Sequence, residues 1–168
     1  MIKKEMVTRT IEGFIRKLND EGHSKYATEL RSIVAMSRAR RGALSALSSI
    51  TVTLLTHLVK YLALPQSTDR SKWIGEIKGY LSTFSVNNRN YRGRPWLSIE
   101  YIQNDLNGIL RGPAFMSYMK RELSTYPEVD RGSVLSMVET HKSLKSMGVK
   151  LFLDSENDVG IAVNNQVL

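Results

Sequence analysis

A run of 18 residues without a charged side chain, from Gly42 to Val59, most constrains what this chain can fold into. The length of the run and the basic residues just before it both suit a transmembrane helix. Seven of its residues are Ser, Thr or His, however, and its apolar residues recur at steps of three and four. That period is typical of an amphipathic helix with one face buried in a protein core. We therefore predict a core helix over about 43–63, ended by Pro65, and no membrane span. Its buried stripe is predicted to consist of Leu44, Leu47, Ile50, Leu54, Leu55, Leu58 and Tyr61.

The same helical period predicts two helices before this one. The first covers about residues 4–19, and the second begins near Ser24. Whether the second runs on through Arg41 or breaks near Gly42 is left open, because a glycine inside a helix costs only about 1 kcal/mol. The apolar residues predicted to face inward are Met6, Ile11, Phe14, Ile15 and Leu18 in the first helix, and Tyr26, Ala27, Leu30, Ile33, Val34 and Met36 in the second.

The remainder of the chain predicts four more helices and then a change of period. The helices contain Trp73 to Phe84, Trp96 to Leu110, Ala114 to Thr125 and Arg131 to Met147, the last with Gly148 as its C-cap. Two β-prone runs, 149–153 and 159–163, then flank an acidic turn. The predicted fold is mostly α, a bundle of five to seven helices over 1–148, with a small C-terminal β-hairpin over 149–168 in the same domain.

Charge is unevenly distributed along the 168 residues, whose net charge is +8. Residues 1–121 carry 20 Lys and Arg against 9 Asp and Glu, whereas residues 122–168 carry 4 against 7. Two windows, between Glu29 and Asp69 and between Glu76 and Glu100, contain no acid at all. This asymmetry indicates a polyanionic partner for the first two thirds of the chain.

Two arginine clusters lie in the acid-free windows, and we predict that they bind nucleic acid. Guanidinium groups bind phosphates bidentately, and aromatic faces stack on unpaired bases. No known base-reading motif is present, so contact with the phosphate backbone of RNA or DNA, with little sequence readout, is expected. The predicted phosphate contacts are Arg38, Arg40, Arg41, Arg89, Arg92 and Arg94, and the predicted stacking residues are Tyr91 and Trp96.

Two other interpretations of these clusters stay open. The basic face can dock an acidic protein, which makes the chain an inhibitor, immunity or assembly factor. Alternatively, the arginines form an ordinary solvated surface and Trp96 points into the core. Steep salt dependence distinguishes nucleic-acid binding from protein docking. The oligomeric state is not predicted.

Several function classes are disfavoured by what the sequence lacks. The absence of cysteine excludes disulfides, thiolate metal sites and cysteine nucleophiles, and is compatible with the cytoplasm. The three histidines have no metal-ligand spacing, and His57 is predicted to be a partly buried structural residue. No phosphate-binding glycine loop or serine nucleophile motif is present. We therefore predict a cytoplasmic, non-catalytic protein without metal or cofactor, acting as a small basic subunit or accessory factor of a larger nucleoprotein assembly.

Residues 29–77 resemble a bacterial helical family known only as a domain of unknown function, number twenty-nine. In that family a glutamate-bearing helix leads through a basic turn into a leucine-rich helix, which is followed by a helix with a tryptophan. The matching residues are Glu29, Arg40, Arg41, His57, Leu58, Lys60, Tyr61 and Trp73. The resemblance implies a helical fold and no activity, because the family has none assigned.

Overall fold

The computed structural model describes residues 2–90, 92–154 and 158–168, with side chains described from Thr10 onward. Six helices and one three-stranded sheet occur in these ranges, which confirms the predicted helical bundle with a C-terminal hairpin. The helices are α1 (Ile2–Asp20), α2 (Ser24–Ala63), α3 (Arg70–Asn87), α4 (Ile99–Arg111), α5 (Pro113–Leu123) and α6 (Arg131–Thr140). The strands are β1 (Val149–Leu153), β2 (Val159–Val163) and β3 (Gln166–Val167).

The chain divides into two compact units, Met1–Arg41 and Gly42–Leu168. We call them the N-terminal unit and the C-terminal unit. The boundary falls inside α2, which continues through Gly42 as one helix of 40 residues. This settles the question that the sequence left open: the glycine does not interrupt the helix.

The core of the C-terminal unit is built on the second half of α2. Leu47, Leu54, Leu58 and Tyr61 are buried there, as the apolar stripe predicted, whereas Leu44 is only partly buried. Each of α3 to α6 adds buried apolar residues to the same cluster, including Phe84 of α3. The uncharged run is therefore accounted for by core burial.

Among the described residues, α2 is the one helix whose length and composition would allow it to cross a membrane. Half of its most apolar 18-residue window is buried inside the protein. The core helix of a soluble protein meets the same criteria, so this feature is weak support for a span.

The sheet is antiparallel with the order β1-β2-β3. β1 pairs with β2 from Val149 opposite Val163 to Leu153 opposite Val159. This is the hairpin predicted from the two β-prone runs, 149–153 and 159–163. The third strand was not predicted. It forms because Asn164 and Asn165 adopt φ values of 43° and 72°, which asparagine tolerates and a tight hairpin turn requires.

Phe152 and Gly160 are directly opposite each other in the first hairpin. The ring of Phe152 covers Gly160 so closely that a Cβ at position 160 would overlap ring carbons. A glycine is therefore needed here for space and not for its backbone freedom.

The last helix is shorter than predicted. α6 ends at Thr140 instead of Met147, and residues 143–148 form separate turns. Gly148 still closes a turn with φ of 73°, and its N–H bonds the carbonyl oxygen of Lys145. The prediction of Gly148 as the C-cap of this helix is therefore wrong: the C-cap of α6 is His141, and Gly148 ends a separate turn.

The predicted inner faces of the first two helices are wrong at four positions. Ile15 and Ala27 are buried as expected, and Met6 lies outside the described side chains. Four large apolar residues that were predicted to be buried are exposed: Phe14 at 55%, Tyr26 at 61%, Ile33 at 58% and Met36 at 37%.

Candidate nucleic-acid interface

An arginine-lined groove of about 550 Å³ lies between α1 and the first half of α2 in the N-terminal unit. We call it the arginine groove. Its lining residues are Glu12, Ile15, Arg16, Arg31, Val34, Ala35 and Arg38. Three arginines and one glutamate therefore line the groove together with three apolar residues. The N-terminal unit as a whole contains 10 Lys and Arg against 5 Asp and Glu, whereas the C-terminal unit contains 14 against 11. The groove therefore lies in the unit with the larger excess of positive charge.

Arg38 is the one predicted site residue that lines this groove. Its Nη2 donates a hydrogen bond of 3.0 Å to Oε1 of Glu12, and both side chains are about half exposed. An exposed pair of this kind contributes little to stability, about 0–1 kcal/mol. Arg38 can therefore exchange Glu12 for a phosphate at low cost.

The other two arginines of the first predicted cluster diverge around α2. Arg40 lies two residues beyond Arg38 and so about 160° around the helix, away from the groove. Arg41 lies within about 60° of Arg38, and its Nε is 3.4 Å from the carbonyl oxygen of Ser37. The helix thus divides a cluster that is contiguous in the sequence.

Two further arginines, Arg16 and Arg31, line the groove but are not among the contacts predicted from the sequence. Arg31 precedes Arg38 by seven residues, so the two lie within about 20° of each other on α2. That spacing was visible in the sequence. The contribution of Arg16 from α1 was not, because it depends on how the two helices pair.

The second predicted cluster lies on the loop between α3 and α4, and two asparagines organise this loop. The buried Asn88 side chain spans it: Nδ2 donates to the carbonyl oxygen of Leu97 at 3.1 Å, and Oδ1 accepts from the Leu97 N–H at 2.8 Å. Oδ1 of Asn90 accepts the N–H groups of Arg92 and Arg94 at 2.8 and 3.0 Å. Gly93 completes the turn with φ of 72°. The polar, turn-rich sequence therefore encodes a specific loop.

Arg89 is held within the C-terminal unit by an ion pair with Asp158, next to β2. The hydroxyl of Ser85 donates to the same carboxylate oxygen, and Nη2 of Arg89 is 3.4 Å from that hydroxyl. Arg89 is only about one third exposed. It fixes the loop to the sheet, so its predicted phosphate contact would have to compete with Asp158.

Trp96 is also held in place by contacts within the C-terminal unit. Its indole Nε1–H donates to the carbonyl oxygen of Arg89 at 2.7 Å, and its ring packs partly against the core.

Arg92 and Arg94 are exposed, and the Arg94 side chain has no hydrogen bond or ion pair with the described part of the chain. Tyr91 lies outside the described residues, and its stacking role stays a prediction.

His57 is partly buried and both of its ring nitrogens are engaged. Nδ1 is 2.7 Å from the carbonyl oxygen of Thr53, and Nε2 is 2.6 Å from Oε2 of Glu76 on α3. Oε2 of Glu76 is buried and has no other hydrogen-bond partner among the described residues. Neither ring nitrogen is free to accept a proton from a substrate, which favours a structural role for this histidine. No group of three or more acidic or histidine side chains placed to hold a metal occurs in the described ranges.

Comparison with known proteins gives no relatives from which a function can be inferred. No protein-family model matches the chain, and neither a curated protein nor a solved structure matches it. The resemblance to the family of unknown function stays a prediction.

Proposed function

We propose that this chain is a non-catalytic nucleic-acid-binding protein that contacts the phosphate backbone with little sequence readout. As in the sequence-based hypothesis, it acts in the cytoplasm as a small basic subunit or accessory factor of a nucleoprotein complex. The observation that carries the proposal is the arginine groove, which Arg16, Arg31 and Arg38 line together with a single carboxylate residue, Glu12. Convergent guanidinium groups in a concave surface match the charge and hydrogen-bonding geometry of phosphates.

The groove supports binding because its one internal ion pair is weak. When a phosphate approaches, Arg38 leaves Glu12 and both groups remain solvated, so little free energy is lost. Counterions released from the nucleic acid then provide the driving force. A low sequence preference follows, because phosphate contacts position a protein without reading bases.

The loop between α3 and α4 supplies additional phosphate contacts through Arg92 and Arg94. Their backbone is fixed by Asn90, so part of the entropy cost of ordering the loop has already been met. Arg89 and Trp96 support this loop instead of contacting the ligand. This reassigns two of the predicted contact residues to a structural role in the proposal.

The proposal is tested by fluorescence anisotropy with single- and double-stranded RNA and DNA oligomers at several salt concentrations. We expect log affinity to fall linearly with log salt, with a slope of about −0.7 to −0.9 per neutralised phosphate. The variant Arg16→Ala/Arg31→Ala/Arg38→Ala should bind at least about tenfold more weakly and reduce the steepness of the slope by about 2 to 3.

A matched control removes the same charge elsewhere. The variant Lys72→Ala/Lys145→Ala/Lys150→Ala changes three exposed lysines of the C-terminal unit. It should retain most of the binding if the groove is the site. Equal losses in the two triple variants would indicate a diffuse electrostatic attraction, and no binding to any oligomer at low salt would reject the proposal.

An acidic protein segment is the second candidate ligand. Ile15, Val34 and Ala35 form an apolar floor that would suit aliphatic side chains better than phosphates. An acidic peptide that competes for the groove and shows a shallower salt slope than the oligomers would favour this alternative.

A further inference from the structure

We propose that the N-terminal unit pairs with a second copy of the same chain, through the apolar face of its helical hairpin opposite the arginine groove. The four exposed residues Phe14, Tyr26, Ile33 and Met36 form this face, which we call the apolar face. These residues carry the helical period of a buried surface but are 37% to 61% exposed. Of the eight large apolar residues that are exposed in the described part of the chain, four lie in this unit.

The N-terminal unit also has little core of its own. Among its described side chains, Ile15 and Ala27 are the buried apolar residues. A pair of helices gains most of its stability from packing its apolar stripe against further helices. An additional helical surface over the apolar face would supply that packing.

Helical geometry separates the apolar face from the groove. On α2, Ile33 lies two residues after Arg31, and therefore about 160° around the helix from it. On α1, Phe14 lies two residues after Glu12 and is displaced by the same angle. Because the helices are antiparallel, equal displacements move both residues to the same side of the hairpin. The unit thus has one arginine-rich side and one apolar side.

The charges on the apolar side favour a second copy over an acidic partner. Lys17 of α1 pairs at 3.7 Å with Glu21, the residue that follows this helix. On α2, Glu29 lies one helical turn after Lys25 and on the same side of the helix as Arg40. This side therefore has acids as well as bases, whereas the groove has three arginines for one glutamate. An acidic partner would be attracted to the groove side, and two apolar sides can meet without a large excess of like charge.

The residue spacing is also self-complementary. Tyr26, Ile33 and Arg40 repeat at intervals of seven and lie in one line along α2. If a two-fold axis passes at Ile33, Tyr26 and Arg40 are each about 10 Å from that axis, on opposite sides. An antiparallel pair then places Tyr26 of each copy against Arg40 of the other, where a cation–π contact forms. Glu29, one helical turn from Tyr26, is within reach of the same arginine.

The size of the apolar face predicts a weak dimer. Three of its four residues lie within about 15 Å along α2 and the fourth, Phe14, lies on α1, so the face is small compared with a standard protein interface. We expect a dissociation constant of about 1 to 100 μM. Sedimentation equilibrium over that concentration range should show a reversible monomer–dimer transition.

The absence of cysteine from the chain permits a direct test of the two-fold axis. Ile33→Cys places one thiol at the proposed axis, where two copies can form a symmetric disulfide. The control Val86→Cys places a thiol at an aliphatic residue of the C-terminal unit that is 72% exposed. Under mild oxidation the Ile33→Cys dimer should form at least about tenfold faster, because pairing raises the effective thiol concentration.

Charge variants test the specific pairing. Ile33→Asp should shift the protein to monomer, whereas Val86→Asp should leave the dimer intact. Glu29→Arg and Arg40→Glu should each weaken the dimer, and the double variant should restore it. A wild-type protein that remains monomeric at about 100 μM, or equal disulfide rates for the two cysteine variants, would overturn the proposal.

Discussion

Nζ of Lys60 lies 3.1 Å from Oε1 of Glu122, and this ion pair joins α2 to α5 inside the C-terminal unit. The lysine side chain is 5% exposed and the glutamate side chain 28%. The same ammonium group lies 4.5 Å from the centre of the Tyr126 ring. A buried cation therefore depends on one carboxylate and one aromatic face.

Removal of the carboxylate should be costly. We expect Glu122→Ala to lower the free energy of unfolding by about 2 to 3 kcal/mol, because Lys60 is then buried without a counter-charge. Urea titration measures the effect, with the exposed Glu128→Ala as control. The double variant Lys60→Met/Glu122→Leu should recover most of the lost unfolding free energy, because it leaves no buried charge unpaired. If it does not, the ion pair contributes more to stability than the neutralisation of one buried charge by the other.

The two ends of the α3–α4 loop should respond differently to arginine removal. Arg89→Ala leaves Asp158 without its cation, and we expect it to destabilise the protein by about 1 to 2 kcal/mol. Arg94→Ala should change stability by less than about 0.5 kcal/mol, because its side chain has no partner in the described ranges. If both variants destabilise equally in thermal unfolding, the ion pair with Asp158 does not hold the loop.

His57 and Glu76 should behave as one unit. His57→Leu removes the donor that faces the buried Oε2 of Glu76, and we expect a loss of about 1 to 3 kcal/mol in unfolding free energy. His57→Leu/Glu76→Leu should lose less than the single variant, because no polar atom is then left unpaired. Equal losses in the single and double variants would show that the histidine contributes through packing alone.

The first turn of α6 should weaken in acid. Asp130 is its N-cap, and hydrogen bonds from the Ser133 side chain and backbone N–H hold the pKa of the carboxyl below its ordinary value of 3.8. The folded state therefore favours the carboxylate. This contribution is present above the pKa of the unfolded chain and is lost as the pH falls through the lower pKa of the folded state.

The Ser133→Ala variant tests this pH dependence. It removes the hydroxyl that lowers the pKa most, so thermal unfolding followed from neutral pH to about pH 2 should show a smaller acid-induced loss than in the wild type. Ser136→Ala, at an exposed position later in α6, serves as control. An unchanged pH profile would show that this cap does not contribute to acid sensitivity.

Elements that depend on local pattern were predictable from the sequence. The stripe through Leu47 and Tyr61 identified the core of α2, and the two β-prone runs identified β1 and β2. These features follow from the periodicity of apolar residues, which can be read from the sequence without knowledge of the tertiary fold. The third strand was missed although Asn164 and Asn165 are residues typical of a tight turn.

Features that depend on pairing between distant segments were not predictable. Glu76 contacts His57 because α3 packs beside α2. Asp158 contacts Arg89 because the end of α3 lies beside the start of β2. Likewise, the period that predicted a buried Ile33 specifies only that the residue should be covered. It does not specify whether the cover comes from the same chain. Contiguity in sequence also did not show that Arg38 and Arg40 lie on different sides of α2, which follows from the helical geometry.

The close cover of Gly160 by Phe152 carries an evolutionary consequence. A larger residue at position 160 is compatible with the hairpin only when the ring at position 152 is replaced by something smaller, because both side chains need the same volume. Substitutions at the two positions are therefore coupled. In any set of relatives, the two positions should covary, with glycine retained wherever the aromatic ring is retained.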